Sequence, residues 1–160
     1  MNVIFLDFNG VLDTNEKMDE IDKDNLLRLK NIVEKTNSKI VISSSIKNNY
    51  VKTGKMGKLL NNLLITLEKE SIEVIGFTPY LGNREEEIRL YLEEHEEIEN
   101  FCILDDDYYM ESFKDNLVKL PCQIEIGQKG LDDYYMNLAI QILKKEKHKK
   151  LSKTKYNVLK

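Results

Sequence analysis

Four consecutive apolar residues, Val3-Ile4-Phe5-Leu6, stopping abruptly on Asp7 narrow the fold more than any other feature of the chain. A run apolar on both faces suits a central strand of a parallel sheet, where helices cover both sides. The pattern recurs. Residues 39–42 form a second strand-like run ending in Ser43-Ser44-Ser45, and residues 101–104 a fourth ending in Asp105-Asp106-Asp107. Residues 72–77 read as the third strand, and 123–126 are expected as a short fifth. Helical periods lie between them. Residues 22–35 carry Leu26, Leu29, Ile32 and Val33 on one stripe, and residues 56–69 carry Leu59, Leu60, Leu63, Leu64 and Leu67. Asn83-Arg84-Glu85-Glu86 has the form of a capping box, opening a helix with Ile88, Tyr91 and Leu92. Gly130 leads into a last helix bearing Tyr135, Leu138, Ala139, Ile142 and Leu143. Strands alternating with helices predict an α/β fold, a Rossmann-like three-layer sandwich around a central parallel sheet.

A chain of 160 residues, 41% apolar and 32% charged, is read as one domain over residues 1–143 followed by a Lys-rich tail over 144–160. That tail holds Lys144, Lys145, Lys147, Lys149, Lys150, Lys153, Lys155 and Lys160 against Glu146, leaving 16 basic and 27 acidic residues in the body. It reads as a basic helix end running into a frayed terminus, with a polyanion-gripping arm as the alternative. No apolar run reaches the roughly 18 residues of a membrane span, and no secretory leader is seen. A cytoplasmic protein is expected. Cys102 and Cys122 lack metal-ligand spacing and read as two buried, reduced thiols. His95 and His148 lie in charged stretches and read as solvated. Tyr108, Tyr109, Tyr134 and Tyr135 read as core and rim packing.

Asp7 and Asn9, the serines, and the Asp105–Asp107 triplet all stand at strand ends. In an open parallel sheet these ends share one edge, where ligands bind. Converging acids repel unless a cation sits among them, and an oxygen-only donor set suits Mg²⁺. One Asp can then attack phosphorus while a hydroxyl and a cationic side chain hold the phosphoryl oxygens.

Asp7-Phe8-Asn9-Gly10-Val11-Leu12 resembles the first motif, DxDG(T/V)(L/V), of the haloacid dehalogenase-like phosphohydrolases. The resemblance implies that Asp7 is a nucleophile that becomes a phospho-aspartate and ligates Mg²⁺. It implies that residue 9 lends its backbone carbonyl to the metal, its side chain usually being the general acid/base. Ile40-Val41-Ile42-Ser43-Ser44 is similar to the second motif, giving Ser44 the phosphate-binding role with Ser43 as the alternative, beside Gly10 and Lys47. Ile103-Leu104-Asp105-Asp106 is similar to the fourth, with Asp105 and Asp106 completing the metal site and Asp106 favoured as direct ligand. The third motif, a lone Lys or Arg, falls on Arg84, with Lys47 in competition; pairing with Glu87 is the bland alternative for Arg84.

A narrower likeness comes from Ser43-Ser44-Ser45-Ile46-Lys47, Phe77-Thr78-Pro79, Arg84-Glu85-Glu86-Glu87-Ile88 and Gly130-Leu131. These resemble the haloacid dehalogenase-like domain of "Swiss Army Knife" RNA-repair proteins, which more usually reads SSSWR where Ile46-Lys47 stands here. That kinship implies phosphate removal at nucleic-acid ends. The intervals from Asp13 to Ile40 and from Lys47 to Arg84 leave no room for a separate lid, favouring a nucleotide or polymer-end substrate. Asn9 is the departure that matters, because an amide cannot shuttle the proton. A slow enzyme, or a binding module for Mg²⁺ and phosphorylated ends or a protein partner, follows as the alternative. A response-regulator receiver fits poorly, since only Gly76-Phe77-Thr78 stands where its phospho-acceptor belongs.

Overall fold

The structure, a computed structural model, describes residues 1–145. A five-stranded, all-parallel sheet forms its centre. Its strands are β1 (Asn2–Leu6), β2 (Ser38–Ile42), β3 (Val74–Phe77), β4 (Asn100–Asp105) and β5 (Leu117–Lys119), in the order β3-β2-β1-β4-β5. The helices are α1 (Lys23–Thr36), α2 (Asn48–Thr53), α3 (Lys58–Lys69), α4 (Arg84–Glu94) and α5 (Asp133–Leu143). This is the expected Rossmann-like arrangement.

The apolar run at β1 is central because both faces are covered. Ile4 and Leu6 join Ile40, Ile42, Cys102 and Leu104 in a core under α1, α3 and α5. Val3 and Phe5 join Val41 and Ile103 against Ile88 and Tyr91 of α4. The chain walks outward from β1 to β3, then turns back across the sheet to β4. A right-handed crossover in that reversed direction must pass over the other face, which is why α4, alone of the helices among the described residues, lies there. The reversal puts the switch point between β1 and β4, where open sheets bind ligands.

Helix starts follow the polar residues before them. Asp22, Asn83 and Asp132 accept from the third residue on, at Asn25, Glu86 and Tyr135. Glu86 turns to Arg89 at 3.2 Å instead of completing the box.

The sequence reading needs four corrections. Residues 123–126 are not a strand: Ile124 is 76% and Ile126 100% exposed, in a turn beyond Pro121. The fifth strand is the three-residue β5, which closes the sheet edge next to β4. Polar-apolar alternation in Gln123-Ile124-Glu125-Ile126 mimicked a half-buried strand, but no neighbouring strand receives it. Second, a 3₁₀ turn (Ser45–Lys47) and α2 precede α3, shortening the helix expected from residue 56. Third, His95 is half-buried at the end of α4, its ring stacked 3.8 Å from that of Tyr91. Fourth, Cys102 is buried as expected but Cys122 only partly; both are free thiols. Tyr108, Tyr109 and Tyr134 stand exposed on the rim, and Tyr135 packs on the core. Among the described residues no helix is long and apolar enough to cross a membrane, and no separate lid is folded over the sheet edge. His148 and all of the basic tail beyond Lys145 lie outside the described residues.

Candidate active site

Three ladders run one residue past the strands and deliver polar side chains to the sheet edge. The Asp7 amide donates to Leu104 O at 3.0 Å, Ser43 to Leu6 O at 3.1 Å and Thr78 to Ile42 O at 3.1 Å. Side chains alternate along a strand, so Asp7 follows Phe5, Ser43 follows Val41 and Asp105 follows Ile103 onto the α4 face. There Asp7, Asp105 and Asp106 bring carboxylate oxygens within 4.8 Å of one another, all buried. Arg84, the first residue of α4, reaches in from above, with Nη1 2.6 Å from Asp105 and 3.6 Å from Asp7. Tyr108 covers its guanidinium at 4.8 Å.

This grouping has an electrostatic cost. Burial first, then the Asp105 and Asp106 charges, push the Asp7 carboxyl well above its usual range, and Arg84 only partly opposes this. Burial likewise raises Asp105, again against Arg84. For Arg84 itself, burial disfavours the charge, but Asp7 and Asp105 more than restore it. One guanidinium does not balance three acids. The oxygen-only donor set and its residual negative charge fit a hard divalent cation such as Mg²⁺.

The turn carrying Asp7 is held from several sides. Gly10 has φ +80°, and a Cβ there would run into the Asp106 carboxylate. Gly10 N–H donates to Asp13 Oδ1 at 2.6 Å. Asp13 Oδ2 accepts from the Asn9 amide (2.8 Å), the Asp19 N–H (2.8 Å) and the Gln123 amide (2.6 Å). Burial raises the Asp13 carboxyl despite the donors from Asp19 and Gly10. From the other side, Gln128 donates to Gly10 O at 2.7 Å, Gln123 N–H to Asp106 Oδ2 at 2.8 Å and Lys119 to the Asp106 carbonyl. The segment misread as a strand is thus part of a clamp on the turn that carries Asp7.

The remaining predicted residues divide. Ser44 turns its hydroxyl to Ile46 N–H at 3.3 Å, capping the 3₁₀ turn, whereas the buried Ser43 hydroxyl has no partner. Lys47 does not reach the acids; fully buried, it pairs with Glu87 at 3.3 Å and donates to Pro79 O. Burial lowers its pKa, with Glu87 in partial opposition. Glu87 is therefore Lys47's partner, and the bland Arg84–Glu87 pairing does not form. Its second oxygen accepts from Leu81 and Gly82. Asp107 is exposed, donating only its backbone N–H to Asp105. Sequence reasoning missed Asp13, Gln123 and Gln128, and set Glu87 against Arg84 where it pairs with Lys47. Asp13 carried a faint signal, an acid four residues beyond Asn9 in a segment that is no helix.

A parallel sheet in this strand order, with an acid ending the first strand, acids ending the fourth and an arginine opening the helix between, defines a haloacid dehalogenase-like fold. The chain matches, over residues 3–127, the family described as the HAD domain in Swiss Army Knife RNA repair proteins, and it belongs to that family. No curated protein and no solved structure matches it.

Proposed function

We propose that this chain is a Mg²⁺-dependent phosphomonoesterase working through a phospho-aspartate on Asp7, with a nucleotide or nucleic-acid terminal phosphate as substrate. The observation that carries this reading is the convergence of Asp7, Asp105 and Asp106 within 4.8 Å beneath Arg84. Asp7, Asp105, Asp106 and the Asn9 backbone carbonyl would hold the metal, which when bound would offset the clustered charge and draw electron density from the phosphoryl group. An Asp7 oxygen forms the bond to phosphorus as the ester P–O bond breaks, and the leaving oxygen takes a proton from solvent water. Water then attacks phosphorus of the Asp7 acyl phosphate, breaking the Asp7 O–P bond and releasing inorganic phosphate with the carboxylate restored. Arg84 stands where it can orient Asp7 and receive phosphoryl oxygens, which favours it over Lys47 for the cationic role. The free hydroxyl of Ser43, on the Asp7 face, favours it over Ser44 as phosphate donor.

Asn9 supplies no carboxylic proton, so turnover is slow on poor leaving groups. Its amide, already engaged by Asp13 and Asp19, favours one second reading: a module that binds Mg²⁺ and phosphorylated ends with little turnover. The deciding experiment measures phosphate release from an aryl phosphate and from 3′- and 5′-phosphorylated oligonucleotides, with and without Mg²⁺. Mg²⁺-dependent release lost in Asp7→Asn supports the enzyme. Tight oligonucleotide binding without release supports the module.

A further inference from the structure

Among the described residues, three buried side-chain polar atoms have no hydrogen-bond partner: Ser43 Oγ, Thr78 Oγ1 and Gln128 Oε1. Two of them are neighbours. Ile42 pairs in register with Phe77, and the ladder continues through the Thr78 N–H to Ile42 O bond, so Ser43 and Thr78 stand side by side on adjacent strands. Ile42 and Phe77 both face the core under α1, α3 and α5. The next residues therefore face the opposite way, toward α4, as Asp7 does. Both are fully buried, and since neither oxygen has a partner they do not bond each other.

Buried hydroxyls ordinarily find an acceptor. Two unused donors side by side at the strand edge that also carries Asp7 are an arrangement suited to a charged oxygen arriving from outside. The Thr78 backbone is also fixed. Lys47 donates to Pro79 O at 3.3 Å, and Glu87 takes the Leu81 and Gly82 N–H groups at 3.0 and 3.2 Å. This gives the buried Lys47–Glu87 pair a task other than touching the acids: it pins the β3–α4 connection that carries Thr78.

We propose that Thr78 is a phosphoryl-binding residue, its hydroxyl forming with that of Ser43 a two-donor cradle for one non-bridging phosphate oxygen. This rests on the phosphohydrolase reading but is tested by binding, independently of turnover. Thr78→Val removes the hydroxyl at constant shape, and Thr78→Ser returns it. The measurement is calorimetric binding of inorganic phosphate in the presence of Mg²⁺, alongside the melting temperature of each variant and KM and kcat for an aryl phosphate. Loss of one hydrogen bond to a charged acceptor weakens phosphate binding in Thr78→Val by roughly tenfold or more. The melting temperature should not fall, and Thr78→Ser should stay close to wild type. Phosphate binding by Thr78→Val equal to wild type overturns the cradle, even if the wild type is an active phosphatase. Phosphate binding that depends on Thr78 in a protein that hydrolyses nothing upholds the cradle and defeats the enzymatic reading. A wild type that binds no phosphate overturns the cradle, while the enzymatic reading stands or falls on phosphate release.

Discussion

Asn9→Asp, which restores the acid usual at this position, should destabilise the protein in a manner that grows with pH. The Asn9 amide nitrogen lies 2.8 Å from Asp13 Oδ2 and 2.8 Å from Asp19 Oδ1. Replacing it with a carboxylate oxygen turns two attractions into two repulsions. At an effective dielectric near 20, unit charges 2.8 Å apart repel by about 6 kcal/mol. The exposed Asp19 can swing away; Asp13 cannot, because Gly10, the Asp19 backbone and Gln123 all hold it. The new side chain avoids the repulsion by keeping a proton. Starting from an ordinary Asp value, that costs at most about 5 kcal/mol at pH 7.5 but only about 1.5 kcal/mol at pH 5. The sign follows from linkage: a carboxyl whose pKa is raised by folding contributes stability at low pH and loses it as pH rises. Urea denaturation followed by circular dichroism should show Asn9→Asp at most about 1.5 kcal/mol less stable than wild type at pH 5 and about 2–4 kcal/mol less stable at pH 7.5. Adding Asp13→Asn, which gives the new acid a donor, should recover much of the loss. A deficit independent of pH, or none at pH 7.5, would refute this account of why an amide stands at position 9.

The same substitution should still raise turnover per folded molecule on alkyl phosphates more than on aryl phosphates; equal gains on both would exclude a proton-transfer role. Because burial and mutual repulsion raise Asp7 and Asp105, the metal-free protein should lose stability as pH climbs above the carboxylate range. Mg²⁺ should restore it, so the melting-temperature gain on adding Mg²⁺ should be larger at pH 8 than at pH 5. Lys47→Met should cost about 3–5 kcal/mol in a urea titration by stranding Glu87, and adding Glu87→Leu should return a part of it. Gly10→Ala should abolish Mg²⁺-induced stabilisation by driving a Cβ into Asp106 at a left-handed backbone position.

The strands that matter were legible because burial on both faces writes an unbroken apolar run, and the acids because each directly ends such a run. Position in sequence therefore gave position at the edge for Asp7, Ser43, Asp105 and Asp106. What stayed hidden depends on contacts remote in sequence. Gln123 and Gln128 reach residues more than 100 positions away, between Gly10 and Asp13. Nothing in their neighbourhood marks them, and Ile124 and Ile126 beside them imitate a strand. Which cation meets the acids was likewise not local: Arg84 and Lys47 both head helical segments, and only the packing of α4 separates them. Ser43 against Ser44 turned on strand parity at the last ladder bond, one residue finer than an apolar pattern resolves.

The glutamine clamp also sets an order of assembly. Synthesis makes Asp7 well before residues 119–128, at and beyond the end of β5, which supply part of the contacts that fix its turn. A nascent or truncated chain stopping before Gln123 carries Asp7 and Arg84 but lacks the Gln123 N–H on Asp106 and the Gln128 amide on Gly10. The acid cluster is thus finished late, and a partial product of translation has Asp7 without the full set of contacts that fixes its turn.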